Sequence, residues 1–349
     1  MQTDFLLIGQ GISGTFLSWE LKKAGKSFII IDDAQPSAAS KVASGIINPI
    51  TGRRMVKTWM IDELLPHAFD AYREIGAFLG IECITQTDSL DFFPTAQMRL
   101  AFLERYATDP QYLSLPADEN DQMMQLNYGL GYGIISPCFL VDLQSLLPAY
   151  RTSIETSLIQ EPFERSQLRI EDNSVFYKNI KADKVIFCDG KSSFDHPYFS
   201  RLPFALSKGE ALIAAIPDLD RSKIYKKGIS IVPWKQDLFW IGSSYEWEFE
   251  NDLPTTDFRE RVTAQLKELL KTPFTITDHL ASLRPGTLER RPFTGWHPNQ
   301  PHIGIFNGMG TKGCSLAPYF ARQFVRSITN DTAILAEADI KRFTRILSR

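Results

Sequence analysis

Apolar residues along this chain follow two periods. Phe5-Leu6-Leu7-Ile8 is an unbroken apolar run closed by Gly9. It is too short for a helix and reads as a buried strand. Behind it Ile12, Phe16, Leu17, Leu21 and Ala24 recur at helical spacing, and Gly25 closes that helix. A second run, Ser27-Phe28-Ile29-Ile30-Ile31, ends in Asp32-Asp33. The opening is therefore one strand–helix–strand unit. Helical spacing returns over residues 61–79, 97–106, 139–150, 257–270 and 315–327. Strand patterns mark residues 89–93, 156–159, 184–188 and 302–307, with a small hairpin from 168–170 and 175–177. Short alternating runs at 210–216, 228–234 and 238–242 predict a mainly antiparallel region.

This order predicts an α/β fold: a Rossmann-type cofactor domain with an inserted, predominantly antiparallel β (α+β) substrate domain. The expected boundaries put residues 1–81, 138–202 and 284–349 in the first and 82–137 and 203–283 in the second.

The turn between the first strand and helix reads Gly9-Gln10-Gly11-Ile12-Ser13-Gly14. Gly9 permits the tight turn, Gly11 lets a pyrophosphate touch the backbone, and Gly14 lets helix and sheet pack closely. The helix N-terminus offers free N–H groups to phosphate. Asp32, eighteen positions after Gly14, is placed to accept from ribose hydroxyls. The motif with its strand, helix, strand and acid in order predicts a dinucleotide site. A loop of small residues follows, with Ala43-Ser44-Gly45-Ile46 along it, where backbone can lie beside an extended cofactor. The strand ending in Asp189-Gly190 meets the same sheet edge.

A second glycine-rich turn, Gly308-Met309-Gly310-Thr311-Lys312-Gly313, precedes the last long helix. Two such turns at opposite ends of the chain can serve one long cofactor. A helix N-terminus aimed at the far end, with Lys312 adding charge, suits the pyrimidine edge of a reduced flavin. A simple nicotinamide dehydrogenase needs no such turn, so FAD is the expected cofactor. The candidate cofactor-binding positions are Gly9, Gly11, Ile12, Ser13, Gly14, Asp32, Asp33, Lys41, Ala43, Ser44, Gly45, Ile46, Phe163, Asp189, Gly190, Gly308, Gly310, Thr311, Lys312 and Gly313.

Composition narrows the picture. A net charge of −3 gives no basic footprint for nucleic acid. No apolar run reaches membrane-spanning length, and the first residues lack an export-signal pattern, so a cytoplasmic protein is expected. Cys83, Cys138, Cys188 and Cys314 are scattered and form no CxxC, and no histidine pair has ligand spacing, so no metal is expected.

On these residues the chain resembles the D-amino acid oxidase superfamily. That group includes glycine oxidase, sarcosine oxidase and the oxidase domain that modifies the tRNA wobble uridine. The resemblance rests on the first glycine motif, Ala43-Ser44-Gly45-Ile46, Asp189-Gly190 in place of Ala-Gly, Leu283-Arg284-Pro285, and the Gly308–Gly313 turn with Ala317-Pro318 behind it. It implies an FAD enzyme that oxidises the C–N bond of a small amine or amino acid by hydride transfer to flavin N5, with O2 or another acceptor taking the electrons. It also implies that Arg284 clamps a substrate carboxylate. Tyr245 is a candidate to line the pocket. Two departures stand out: Leu288-Glu289-Arg290-Arg291-Pro292 replaces the usual continuation after Arg-Pro, and Met309 stands where many relatives have histidine. The alternatives are oxidation of a carboxymethylaminomethyl group on tRNA and a non-catalytic flavin-binding protein. Disulfide reductases are excluded because the chain has no CxxxxC.

Overall fold

The computed structural model describes residues 1–171 and 173–348. Strand β1 (Gln2–Ile8) and strand β2 (Phe28–Ile31) flank helix α1 (Ile12–Lys23) and pair in parallel. The strand Ile180–Phe187 lies on the other side of β1, and Gln300–Asn307 runs parallel to its C-terminal half. The short strand Leu158–Ile159 extends the sheet beyond β2. Antiparallel strands on the far side of Ile180–Phe187 complete eight: Leu168–Glu171 with Ser174–Tyr177, and Phe293–His297 against Gln300–Asn307.

Register decides what this sheet presents. Ile8 is level with Ile31 and Phe187, and Phe187 is level with Ile305. Gly9, Asp32, Asp189 and Gly308 therefore emerge close together along one carboxyl edge, where open α/β sheets bind ligands. Alternation along β1 sends Phe5 and Leu7 into one core, with Phe16, Leu17, Phe320 and Phe324. Leu6 and Ile8 enter the core on the opposite face, with Val185 and Phe199. Both faces are thus covered, as a parallel sheet requires.

The second sheet has nine strands. Its longest pair is Phe204–Ala215 with Thr275–Thr287, and its one parallel contact joins Lys223–Lys227 to Ile84–Phe92. Helix α2 (Ala39–Val42) and helix α3 (Ile61–Leu79) lie in the segment before it, and helix α4 (Ala96–Thr108) and helix α5 (Leu143–Ser153) follow. Helix α6 (Thr256–Leu269) covers one face through Phe258, Val262 and Leu266 against Leu212 and Ile241. The other face packs Ala211, Ile213 and Trp240 on Ile50 and Met55. Helix α7 (Gly313–Thr329) packs beside α1.

Two sequence expectations change. Phe139 and Leu140 are strand, not helix: they end Tyr132–Val141, paired with Ile46 and Ile47. Asp142 then starts α5 by accepting from the Ser145 N–H at 3.0 Å. The strand over residues 156–159 shortens to Leu158–Ile159 behind a single 3₁₀ turn. Leu283–Thr287 completes the thirteen-residue strand of the large sheet. No helix among the described residues is long and apolar enough to cross a membrane.

Candidate functional site

The first glycine turn is built by close approach. Gly9 holds a φ of +98°, and a Cβ there would stand 2.6 Å from the Cys188 carbonyl oxygen. A Cβ on Gly14 would collide with the Gly9 carbonyl. Gly11 differs: its Cβ would meet only the Ser40 hydroxyl, at 3.1 Å. That hydroxyl accepts from the Ile12 N–H at 3.0 Å. The N-cap residues of α4, α5 and α6 (Thr95, Asp142 and Thr255) cap their helices through side chains, whereas those of α1 and α7 do not. Apart from the Ile12 N–H taken by Ser40, the two helices that start at the glycine turns keep first-turn N–H groups for another acceptor; α2 and α3 also lack side-chain caps. Gly313 brings them together, since its Cβ would touch Ile12 at 3.1 Å. This donor set suits a dinucleotide whose phosphates meet α1 and whose far end meets α7.

Asp32 is half-buried and already engaged. It accepts from the Gln10 N–H at 2.9 Å and the Ala34 N–H at 3.0 Å, and it pairs with Arg151 at 2.6 Å. Asp33 faces solvent and bonds only to Gln35. Lys41 donates to the Ala34 carbonyl at 2.7 Å, and burial lowers its pKa, with Asp32 opposing that shift. A cavity of about 570 Å³ opens here between α5 and the large sheet, lined by Gln10, Lys41, Arg151, Trp234 and Leu280 among others. It contains neither Arg284 nor any residue of the second glycine turn.

Ala43 ends α2, Ser44 is half-buried, and Gly45 (φ +81°) lies so close to Val141 that a Cβ would overlap its carbonyl. Ile46 then joins the large sheet. Phe163 stacks on Tyr177 at 5.2 Å, in the core behind the sheet edge. Gly190 takes φ +58° with open space around it. Asp189 turns toward its own sheet: Ser193 and Asn307 both donate to its carboxyl, and Asn307 also donates to the Gly190 carbonyl at 2.9 Å.

Desolvation pushes the Asp189 carboxyl up to about 6, against the pull of Ser193, Arg165 and Asn307. A raised folded-state pKa favours the neutral acid. The resulting stabilisation is complete below the unfolded value near 4 and is lost as pH rises through about 6. The gap in Tm between wild type and Asp189→Asn is therefore expected to move against wild type as pH goes from about 4 to about 7. Parallel curves over that window would remove the coupling.

Arg284 stands near the end of its strand, with its side chain laid across Gly209 on the neighbouring strand; a Cβ on Gly209 would overlap the guanidinium. Both of its terminal nitrogens donate to the Ser244 carbonyl at 3.1 Å, and its carbon lies 5.4 Å from the Tyr245 ring centre. No acid pairs with it among the described residues. Burial lowers its pKa, with Tyr245 and Glu246 opposing. Tyr245 itself is 50% exposed and meets Trp247 edge-on at 5.1 Å. One residue past Arg284, the Pro285 carbonyl accepts from the Gly310 N–H at 3.1 Å, which joins the arginine strand to the second glycine turn. Gly308 packs beside Thr287, and Thr311 is exposed. Burial and the nearby Arg290 and Arg291 lower the pKa of Lys312.

Sequence reasoning missed Ser40, Asn307, Gly209 and Ser244. Ser40 had a signal: it lies within the loop of small residues from Ser37 to Gly52. The others depend on register between distant strands.

A family model for FAD dependent oxidoreductases, designated DAO, matches residues 4–326. Glycine oxidase of Pseudomonas putida is 28% identical, over 97% of this chain and 98% of that protein. Glycine oxidase from Geobacillus kaustophilus superposes with a TM-score of 0.79 at 16% identity, covering 98% of both chains. L-proline dehydrogenase from P. horikoshii gives 0.75 at 17%, covering 99% and 98%. A Rossmann-type cofactor edge, an antiparallel sheet beside it and the match over nearly the whole chain place this protein in the DAO family of FAD-dependent oxidoreductases.

Proposed function

We propose that this enzyme oxidises the C–N bond of a small amino acid or other carboxylated amine. The observation that carries this reading is Arg284, a half-buried guanidinium without an acid partner among the described residues, one residue from the contact with the Gly308–Gly313 turn. A guanidinium fork that faces no protein carboxylate is suited to a substrate carboxylate, held bidentately.

In this reading Gly11, Ile12, Ser13 and Ser40 hold the pyrophosphate of FAD, Asp32 the ribose, and the loop from Ala43 to Ile46 the chain beyond it. The α7 N-terminus and Lys312 would lie toward its pyrimidine edge. When bound, the flavin supplies a hydride acceptor for the carbon next to nitrogen. The protein's share is positioning. Arg284 fixes the carboxylate, Tyr245 borders the amine's side chain, and the positive end of α7 with Lys312 favours negative charge at the ring edge. O2 or another acceptor removes the electrons, and water hydrolyses the imine.

Glu246 acts on Arg284, and the exposed Glu248 and Glu250 follow it along the same segment. An acidic rim opposes the approach of a nucleic-acid backbone and favours the small-amine reading over the tRNA one. The test is an anaerobic titration of the flavoprotein with glycine, sarcosine, proline and D-amino acids. Bleaching of the visible flavin band by one of them is the expected result. A flavin that stays oxidised with all of them, yet bleaches with a larger amine, would move the assignment to that substrate.

A further inference from the structure

Behind the Arg284 face of the large sheet lies a buried ionic cluster that the chemistry above does not use. Along Phe204–Ala215 the side chains alternate. Gly209 and Ala211 face Arg284 and the cofactor side, while Lys208, Glu210 and Leu212 face α6. Glu210 is fully buried. One of its oxygens accepts from the Thr255 hydroxyl at 2.8 Å and lies 3.3 Å from Lys208 Nζ. The other accepts from the Thr255 N–H at 2.7 Å and lies 2.9 Å from His279 Nε2. A buried carboxylate persists only with partners of this kind.

What the cluster holds is the segment beside Arg284. The Glu210 N–H donates to the Ser244 hydroxyl at 2.9 Å, and the Ser244 N–H donates to the Glu210 carbonyl at 3.2 Å. Lys208 and Glu246 exchange two further backbone bonds, at 2.8 and 3.0 Å. Residues 245–254 therefore form a loop whose two ends, Ser244 and Thr255, are fastened to one residue. Ser244 carries the carbonyl that holds both Arg284 nitrogens, and the loop carries Tyr245.

We propose that Glu210 is a positioning residue for the substrate clamp. Its carboxylate closes the 245–254 loop through Thr255, which fixes the Ser244 carbonyl and through it the guanidinium of Arg284. This rests on the carboxylate-clamp reading of Arg284. Loop closure by one buried anion explains why a charge sits in the middle of a packed sheet, where an apolar residue would fold as well.

The test uses the flavin-loaded enzyme and acetate, a carboxylate with no oxidisable C–N bond, with binding read from the flavin spectrum. Thr255→Val removes one bond to Glu210 together with the side-chain cap of α6, and leaves Lys208, His279 and Glu210 in place. It is expected to weaken acetate three- to tenfold and to raise KM for an amino acid by a similar factor with a smaller change in kcat. Thr255→Ser, which keeps the hydroxyl, restores both values. Glu210→Gln, where it folds with full flavin content, weakens acetate further. Thr255→Val that binds acetate like wild type overturns the proposal while the clamp stands. Arg284→Ala that binds acetate like wild type overturns the clamp and this proposal together.

Discussion

Arg284→Ala is expected to cost about 1.5–3 kcal/mol in the transition-state binding of a carboxylated amine, roughly a ten- to hundredfold loss in kcat/KM. The loss should appear mainly in KM, because the carboxylate is bound alike in ground and transition states. Arg284→Lys should not rescue it. A lysine ammonium is a point charge without the fork that now chelates the Ser244 carbonyl, and it cannot lie flat over Gly209. Gly209→Ala should reproduce much of the defect without touching the arginine, since the added methyl occupies the space of the guanidinium. The check is a comparison of kcat/KM for an amino acid and for its decarboxylated amine. Equal losses on both substrates would take Arg284 out of carboxylate recognition.

Gly11→Trp is expected to yield a folded protein that purifies without flavin. The space beside Gly11 is bounded by the end of one short side chain, Ser40, and not by backbone. A large side chain there projects over the α1 N-terminus, where the phosphates belong. Gly11→Ala should fold and lose flavin affinity to a smaller degree, because its methyl meets only the Ser40 side chain yet stands where the pyrophosphate approaches the backbone. Gly14 is the wrong position for this experiment: a Cβ there strikes the Gly9 backbone and damages the fold itself. Absorbance ratios of the purified variants, with circular dichroism as a control for folding, decide the matter. A yellow Gly11→Trp with full occupancy would remove the motif from the cofactor site.

The contrast between these two sites shows what was legible in the sequence. The glycine turn is local: five or six consecutive residues carry the strand end, the tight turn and the helix start, so its geometry was readable from spacing. Arg284 was recognisable as a candidate, but its surroundings were not. Gly209 reads as a weak point in a strand, and Ser244 as a loop polar residue. Their meeting depends on the antiparallel register that sets Arg284 opposite Ser207. Alternation in a half-buried strand predicts that polar residues face water, and Lys208 and Glu210 break that rule. Here α6 covers that face, and the polar residues satisfy each other. Asp142 was lost inside an apolar run, so the helix after it was begun too early.

The meeting of Gly313 with Ile12 also bears on how the enzyme is made. The sheet edge beside β1 needs Ile180–Phe187, and that strand in turn needs Gln300–Asn307. The first glycine turn is synthesised about three hundred residues before its neighbour on α7. Such distant pairing is slow to close and leaves strand edges exposed while it waits. Flavin capture thus belongs to the last stage of folding. Supplying FAD during expression should raise the yield of soluble protein more than adding it after purification raises flavin content.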